Sequence, residues 1–313
     1  MSGNGHMKTR LEMRYYSLPQ DECALALMGK TWIRNYGNDV PTLHFHNLTE
    51  VGVCRNGYGY LLSDLGKTDY CGGVITYFPG NALHHTNTYG TDRLDSWEFL
   101  FFDTPKILRE HCKDDPVLAR TLISRLQYGV YAGIPKQSAL PAILDSIFAC
   151  MEHPGGPLHT REVSNLIFAF LLEMNSLLPD SPVVQGRTEA GGALSSAMYY
   201  LEEHYAEDIR IGELAEICGF SETHFRRLFV QAVNMSPVDY LTMVRVQHAC
   251  ELLRGSDEDM DSIAMKSGFG SLSSFNRGFS KFLGVPPHRW RREERRTRKE
   301  APMHIPVRPG WRD

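Results

Sequence analysis

The chain has 313 residues, 42% hydrophobic and 22% charged, with a formal net charge of -4. That is apolar material for two globular domains, which excludes a largely disordered protein, and the acidic balance excludes one that coats nucleic acid indiscriminately. Its apolar stretches fall short of the roughly 18 residues a membrane span needs and no basic or apolar leader opens the chain, so a cytoplasmic protein is expected.

The opening MSGNGH is read as an expression scar ahead of Met7. Seven cysteines (Cys23, Cys54, Cys71, Cys112, Cys150, Cys218 and Cys250), an odd number with no C-x-x-C pair, suit reduced thiols better than a disulfide framework or a zinc knuckle. Residues 7–104 carry short alternating or aromatic runs, such as TLHFHNLTEVGVCRNGYGYLL and DSWEFLFFD, punctuated by Gly, Asn and Asp. This pattern predicts an antiparallel barrel or sandwich. Within it His44, His46 and Glu50 stand at even spacing, which puts all three on one face of a regular strand. Trp32, Tyr60, Tyr77 and Trp97 are candidate pocket walls, and each is also readable as core.

Helical periodicity takes over across 105–178. In HTREVSNLIFAFLLEMNSLL the residues Val163, Leu166, Ile167, Phe170, Leu171, Met174 and Leu178 form one stripe, with Thr160 as the expected N-cap. The stripe must be covered, either by the chain's own barrel or by a second protomer. Residues 179–192, PDSPVVQGRTEAGG, lose periodicity and gain Pro and Gly, as a linker does. From 193 to 292 the pattern is helical, and 293–313 form a basic tail.

The helical region writes one phrase twice: GFSETHFRRLF and GFGSLSSFNRGF. Leu214-Ala215 and Ile263-Ala264 are 49 positions apart, and Phe225-x-Arg227-x-Phe229 and Phe275-x-Arg277-x-Phe279 are 50 apart. A short helix with an apolar-Ala pair, a Gly-Phe turn and a second helix describe a helix-turn-helix unit. The small Ala lets the two helices approach, and the Gly supplies the left-handed residue that ends the first one. Phe225, Leu228 and Phe229 are predicted to face the core, leaving Thr223, Arg226 and Arg227 outside. In the second unit Phe275 and Phe279 face inward, with Ser273, Ser274, Asn276 and Arg277 around the exposed face. Arg reads guanine, Asn reads adenine, and Ser contacts base edges or phosphates. From Ser262 to Arg292 there are six Lys or Arg and no Asp or Glu, which suits DNA. Docked on one face of the duplex, the two units would enter major-groove segments about 34 Å apart.

Residues 193–292 resemble the DNA-binding domain of the AraC/XylS regulators, down to the closing SGFGSLSSFNRGFSKFLGVPPHRWRR. The resemblance implies about seven helices carrying both units, and base-facing residues at Thr223, Arg226, Arg227, Leu272, Ser273, Ser274, Asn276 and Arg277. Leu272 departs from the polar residue usual there: either it meets a thymine methyl, or its helix sits more loosely and contributes less specificity. The front domain is similar to a cupin: His44-x-His46-x3-Glu50-x6-Gly57 matches its first motif, and Gly73, Pro79 and His84 partly match its second, with Gly80-Asn81 where a residue followed by Gly is expected. His44, His46, Glu50 and His84 together suit Zn, Mn, Fe or Ni by ligand type. The same four residues also suit a metal-free effector pocket or a structural role.

The expected fold is therefore α+β: a cupin-like effector-sensing barrel (7–104), a helical dimerisation or packing segment (105–178), and an all-α tandem helix-turn-helix domain (193–292). The expected function is ligand-responsive, sequence-specific transcriptional regulation, without enzymatic activity and with activation the commoner sign in the family. The expected partners are double-stranded DNA, a small-molecule effector with a sugar as candidate, a second copy of the chain, and RNA polymerase for an activator. A divalent metal in the barrel is the candidate cofactor. The alternatives are a metal-dependent cupin enzyme with an appended helical domain, and a constitutive DNA-binding protein whose barrel serves only assembly.

Overall fold

The computed structural model describes residues 11–14, 16, 18, 22–37, 43–63, 66–90, 92–127, 129–153, 155–178, 194, 197, 198, 200–233 and 235–300. The expected scar at 1–6, the expected linker at 179–192 and tail residues 301–313 lie outside them. The chain divides into two compact units, one built from Met1–Glu12 and Tyr16–Gly186 and the other from Met13–Tyr15 and Arg187–Asp313.

In chain order the strands are β1 (Leu11–Arg14), β2 (Ala24–Leu27), β3 (Ile33–Arg34), β4 (Leu43–His46), β5 (Thr49–Asn56), β6 (Tyr58–Ser63), β7 (Gly66–Cys71), β8 (Ile75–Phe78), β9 (His84–Thr88) and β10 (Asp95–Phe102). Helices α1 (Thr104–His111) and α2 (Pro116–Leu126) follow, then β11 (Tyr131–Gly133), α3 (Leu140–Glu152) and α4 (His159–Leu177). The strands make two sheets, ordered β1-β4-β9-β6-β7 and β11-β8-β5-β10-β2, with β3 on the flank of β10. Their ladders are antiparallel, so each strand can offer one face to an interior and the other to a second layer.

β10 shows how the residues sort. Trp97, Phe99 and Phe101 point between the sheets, where Phe101 meets His46 and Trp97 meets Tyr70 of the opposite sheet. Leu100 and Phe102 point the other way, into a core shared with the helices. The inner face is crowded enough to need a glycine: a Cβ on Gly52 would lie 2.5 Å from Thr76 Oγ1.

The α4 stripe is covered by the chain's own sheet. Val163, Ile167, Phe170, Leu171 and Met174 are fully buried, and the Phe170 ring meets Phe102 and Tyr77 at 6.3 and 6.4 Å. Each such side chain contributes about 1.5–3 kcal/mol by leaving water. Within the chain, the buried part of the stripe is thus covered by its own sheet and neighbouring helices. Thr160 is not the N-cap either: the helix starts at His159, because Glu162 N–H already bonds the Leu158 carbonyl at 2.9 Å. All seven cysteines are free thiols.

Among its described residues beyond Arg187 the second unit is helical: residues 200–203, then α5 (Ile211–Ile217), α6 (Glu222–Val233), α7 (Pro237–Gly255), α8 (Met260–Lys266), α9 (Leu272–Leu283) and α10 (Pro287–Glu300). The duplicated phrase becomes duplicated backbone. Gly219 ends α5 at φ +70° and Gly268 ends α8 at φ +79°. After each, the next Phe N–H reaches back to the Ala carbonyl, Phe220 to Ala215 and Phe269 to Ala264, both at 2.9 Å. This is the bond pattern of a left-handed helix stop, and only glycine takes that conformation without strain. Polar caps start the following helices: Ser271 accepts from Ser274 N–H at 3.2 Å, Ser236 from Asp239 N–H at 3.1 Å and Asp259 from Ser262 N–H at 2.8 Å. Phe225, Phe229, Phe275 and Phe279 are completely buried, and Phe279 packs edge-on to the equally enclosed Trp290 of α10.

Candidate functional site

Two constellations carry chemistry, one in each unit. In the second unit α6 and α9 are the later helices of the two helix-turn-helix motifs, and their buried phenylalanines fix which faces are presented. On α6, Thr223, Arg226 and Arg227 are exposed. Arg226 is gripped by Glu222 one turn earlier, Nε at 2.8 Å and Nη2 at 2.7 Å from the same carboxylate oxygen, and Arg227 Nη2 lies 3.1 Å from His224 Nδ1. Glu222 is the residue that the sequence reading overlooked on this face. Its i,i+4 spacing to Arg226 was the available signal.

On α9, Ser273 and Arg277 are exposed and Asn276 is half-buried, with Arg277 Nη1 3.4 Å from Ser273 Oγ. Ser274 is partly committed elsewhere, since its hydroxyl donates to the Ser271 carbonyl at 2.8 Å within the N-cap. Leu272 is half-buried and packs against the core around Phe269 and Phe275, which gives an apolar residue at this position a packing role.

In the first unit, His44 and His46 of β4 and His84 of β9 come from one sheet, and Glu50 of β5 comes from the other. All four are buried, at 7, 0, 1 and 5% exposure. Pairing of His44 with His84 across the ladder explains how residues 40 positions apart meet. One ligand atom from each of the four lies within 4.8 Å of the others. His46 Nε2 is 3.1 Å from Glu50 Oε2, and His84 Nε2 is 3.4 Å from Glu50 Oε1. The opposite nitrogens face carbonyls: His46 Nδ1 lies 2.7 Å from the Leu48 oxygen and His84 Nδ1 2.9 Å from the Ala82 oxygen. A carbonyl only accepts, so each Nδ1 donates in these contacts.

Burial pushes His46 below its ordinary pKa despite the pull of Glu50, which favours the neutral ring. Burial also raises Glu50, but the neighbouring imidazoles outweigh it and hold the carboxyl well below the usual range, so Glu50 is an anion. Aromatic rings wall the cluster, with Phe78 stacked on His84 at 4.2 Å and Tyr16 and Phe101 beside His46 at 5.4 and 5.3 Å.

The one motif departure and the glycine that closes the first motif both have physical reasons. Asn81 takes φ +67°, the left-handed conformation for which a glycine is expected, and Asn tolerates it better than most residues. Gly57, the last residue of the first motif, sits where a Cβ would overlap the carboxylate of Asp95 at 2.1 Å. Asp95, fully buried and accepting from the Tyr70 and Thr88 hydroxyls, went unnoticed in the sequence because nothing local marks an inward carboxylate.

The four aromatic candidates separate. Trp97 lies inside, stacked on Phe99 at 5.6 Å, and Trp32 meets the same Phe99 ring edge-on at 5.6 Å. Tyr77 does not line the interior: strand alternation turns it to the helical layer, where its hydroxyl donates to the Leu126 carbonyl at 3.0 Å. Tyr60 also leaves the interior, because Gly59 beside it takes the inward position against Tyr70. Tyr60 instead sits under Lys67 Nζ at 4.1 Å and beside Tyr89.

Comparison with known proteins places these sites in context. Residues 214–293 match the family model described as a helix-turn-helix domain. The chain is 35% identical over 92 residues to an uncharacterised HTH-type transcriptional regulator of Staphylococcus aureus strain MSSA476, covering 29% of this chain and 12% of that relative. It is 23% identical over 274 residues to the melibiose operon regulatory protein of Escherichia coli K12, covering 84% and 87% of the two chains. Among solved structures it is similar to unsaturated fatty acid bound ToxT of Vibrio cholerae strain SCE256, at 13% identity and TM-score 0.45 over 88% of this chain and 96% of that one. No helix among the described residues is long and apolar enough to cross a membrane.

Proposed function

We propose, from the premise that the C-terminal third of this chain is an AraC/XylS-type helix-turn-helix domain, that the protein is a cytoplasmic, effector-responsive transcriptional regulator and not an enzyme. The observation that carries the reading is the doubled turn: Ala215–Phe220 and Ala264–Phe269 close with the same bond, and each is followed by a helix anchored by two buried phenylalanines. Two such units give two helices for two major-groove segments, with Thr223, Arg226 and Arg227 on the first and Ser273, Asn276 and Arg277 on the second as the base-reading side chains. Ser274 serves the cap and the backbone near it.

The front unit is the sensor. Its enclosed polar cluster and aromatic walls suit a small polar molecule, and the full-length likeness to a melibiose operon regulator supports a sugar-derived effector. An effector acts by binding one of two states of the protein more tightly. A homodimer places four such units on DNA, and contact with RNA polymerase follows if the sign is activation.

Selection of genomic DNA by the purified protein at a stated salt concentration tests the reading. The expected product is a site of two major-groove segments about one turn apart, whose affinity shifts with a metabolite. Absence of any enriched site, with or without metabolite extracts, would overturn it.

A further inference from the structure

The ion pair on α6 leaves much of its bonding capacity unused. Arg226 Nε and Nη2 both contact one carboxylate oxygen of Glu222, Oε1, at 2.8 and 2.7 Å, so Oε2 takes no part in the pair. A guanidinium has five N–H donors in a planar fork and this contact occupies one edge of it, which leaves the end formed by Nη1 and the outer N–H of Nη2. The fully buried Phe225 and Phe229 fix the rotation of α6, and Glu222, Thr223, Arg226 and Arg227 are all exposed, as two adjoining i,i+4 rows. Glu222 is also the first residue of the helix, the end from which a recognition helix reaches base edges. Stability does not call for the pair, since its side chains are 44% and 49% exposed and a contact of that kind contributes little.

We infer that Glu222 and Arg226 together read one C·G base pair, Glu222 Oε2 accepting from cytosine N4 and the end of the Arg226 guanidinium donating to guanine O6 and N7. The inference rests on the reading of α6 as a DNA-facing helix and adds which base pair that helix selects. In the major groove only cytosine and adenine offer an amino donor, whereas guanine and thymine show acceptors. A carboxylate is repelled by phosphates and by base acceptors alike, so Glu222 is accommodated only opposite an amino group and excludes guanine and thymine from its own strand. Arg226 then separates the two bases that remain. Paired with cytosine is a guanine, whose two acceptors match the two-pronged end of the arginine; paired with adenine is a thymine, with one acceptor and a methyl group. Glu222 also holds the arginine in place before DNA arrives, which reduces the side-chain freedom lost on binding, and its charge weakens the competing attraction of Arg226 for phosphate.

The test is selection of random duplexes by the full-length protein as wild type, Glu222→Gln and Arg226→Ala, followed by anisotropy titration of the recovered site with each of the four base pairs at the position that Arg226→Ala relaxes. The wild type is expected to select C·G there, with the other three pairs bound roughly 5- to 100-fold more weakly. Glu222→Gln should lose the preference for cytosine at that position and bind adenine as well or better, because a glutamine amide pairs with adenine, while the rest of the site is kept. Circular dichroism and melting establish that both variants are folded; a structural role for Glu222 would move the melting temperature and leave the selected base unchanged. A wild-type site in which the position relaxed by Arg226→Ala is not C·G, or a folded Glu222→Gln protein that still prefers cytosine as the wild type does, would overturn the inference. Failure of the wild type to enrich any site would instead overturn the regulatory reading, and the inference with it.

Discussion

Arg226 and Glu222 form an ion pair on the exposed face of α6, with guanidinium nitrogens 2.7 and 2.8 Å from one carboxylate oxygen. On the proposed reading of α6 as a DNA-facing helix, its arginine is already partnered by an acidic group on the same face. An exposed pair of this kind contributes about 0.2–1 kcal/mol to stability, so its larger effect is on binding.

Glu222→Gln is expected to raise affinity for arbitrary duplex DNA severalfold while leaving the melting temperature nearly unchanged. The cause is removal of a negative charge from the DNA-facing surface and release of Arg226. Anisotropy titrations at two salt concentrations measure it, with the specific-to-arbitrary ratio expected to fall.

Arg277→Ala is expected to cost about 1–3 kcal/mol in binding the selected site, if the side chain reads a base from α9. The residue is exposed and its bond to Ser273 is long, at 3.4 Å, so stability should change by less than about 0.5 kcal/mol. Equal loss on all DNA sequences would instead assign Arg277 to phosphate.

Phe275→Ala should destabilise the second unit by about 3–5 kcal/mol, because the ring is fully enclosed between Phe269 and Phe279. Leu272→Ala, removing a half-buried side chain, should cost about 1–2 kcal/mol. Chemical denaturation of both variants gives the comparison, and a larger loss for Leu272 would reverse the assignment of the two faces.

The two turn glycines should not respond alike to alanine. Gly219 has nothing within 4 Å of an added Cβ, so Gly219→Ala carries only the left-handed backbone penalty of about 1–2 kcal/mol. Gly268→Ala adds a Cβ 2.5 Å from the Tyr205 carbonyl oxygen, which obliges the backbone to move, and should cost clearly more. Melting curves of the two single variants distinguish the cases.

Much of the second unit was legible because its signals are local. A Gly-Phe pair, a polar cap and phenylalanines four apart specify a turn, a start and a buried face within a dozen residues, and the 49-residue echo made each unit evidence for the other. The limits were also local ones. Nothing in the sequence separates Leu272 packed on the core from Leu272 facing a base, since a side chain at a helix start can lean either way.

The barrel was legible only in part. Even spacing put His44, His46 and Glu50 in one neighbourhood, but it did not show that Glu50 belongs to the opposite sheet. Strand alternation correctly predicts that faces differ, and still Tyr77 and Tyr60 were misplaced as pocket walls because the inward parity of each strand depends on its partners. The α4 stripe posed the same kind of question, and Tyr77 and Phe102 answered it by covering Phe170 within the chain.

By itself the sequence determined the doubled reading head, the all-helical second unit and the residue types gathered near a barrel motif, because helix caps, glycine turns and four-residue periodicity are short-range. Only the tertiary structure decided that Glu50 faces His46 and His84 across two sheets, that Asp95 fills the space left by Gly57, and which aromatic side chains enter the interior. Those relations join strands far apart in the chain, and their energies arise from burial and convergence that no local pattern encodes.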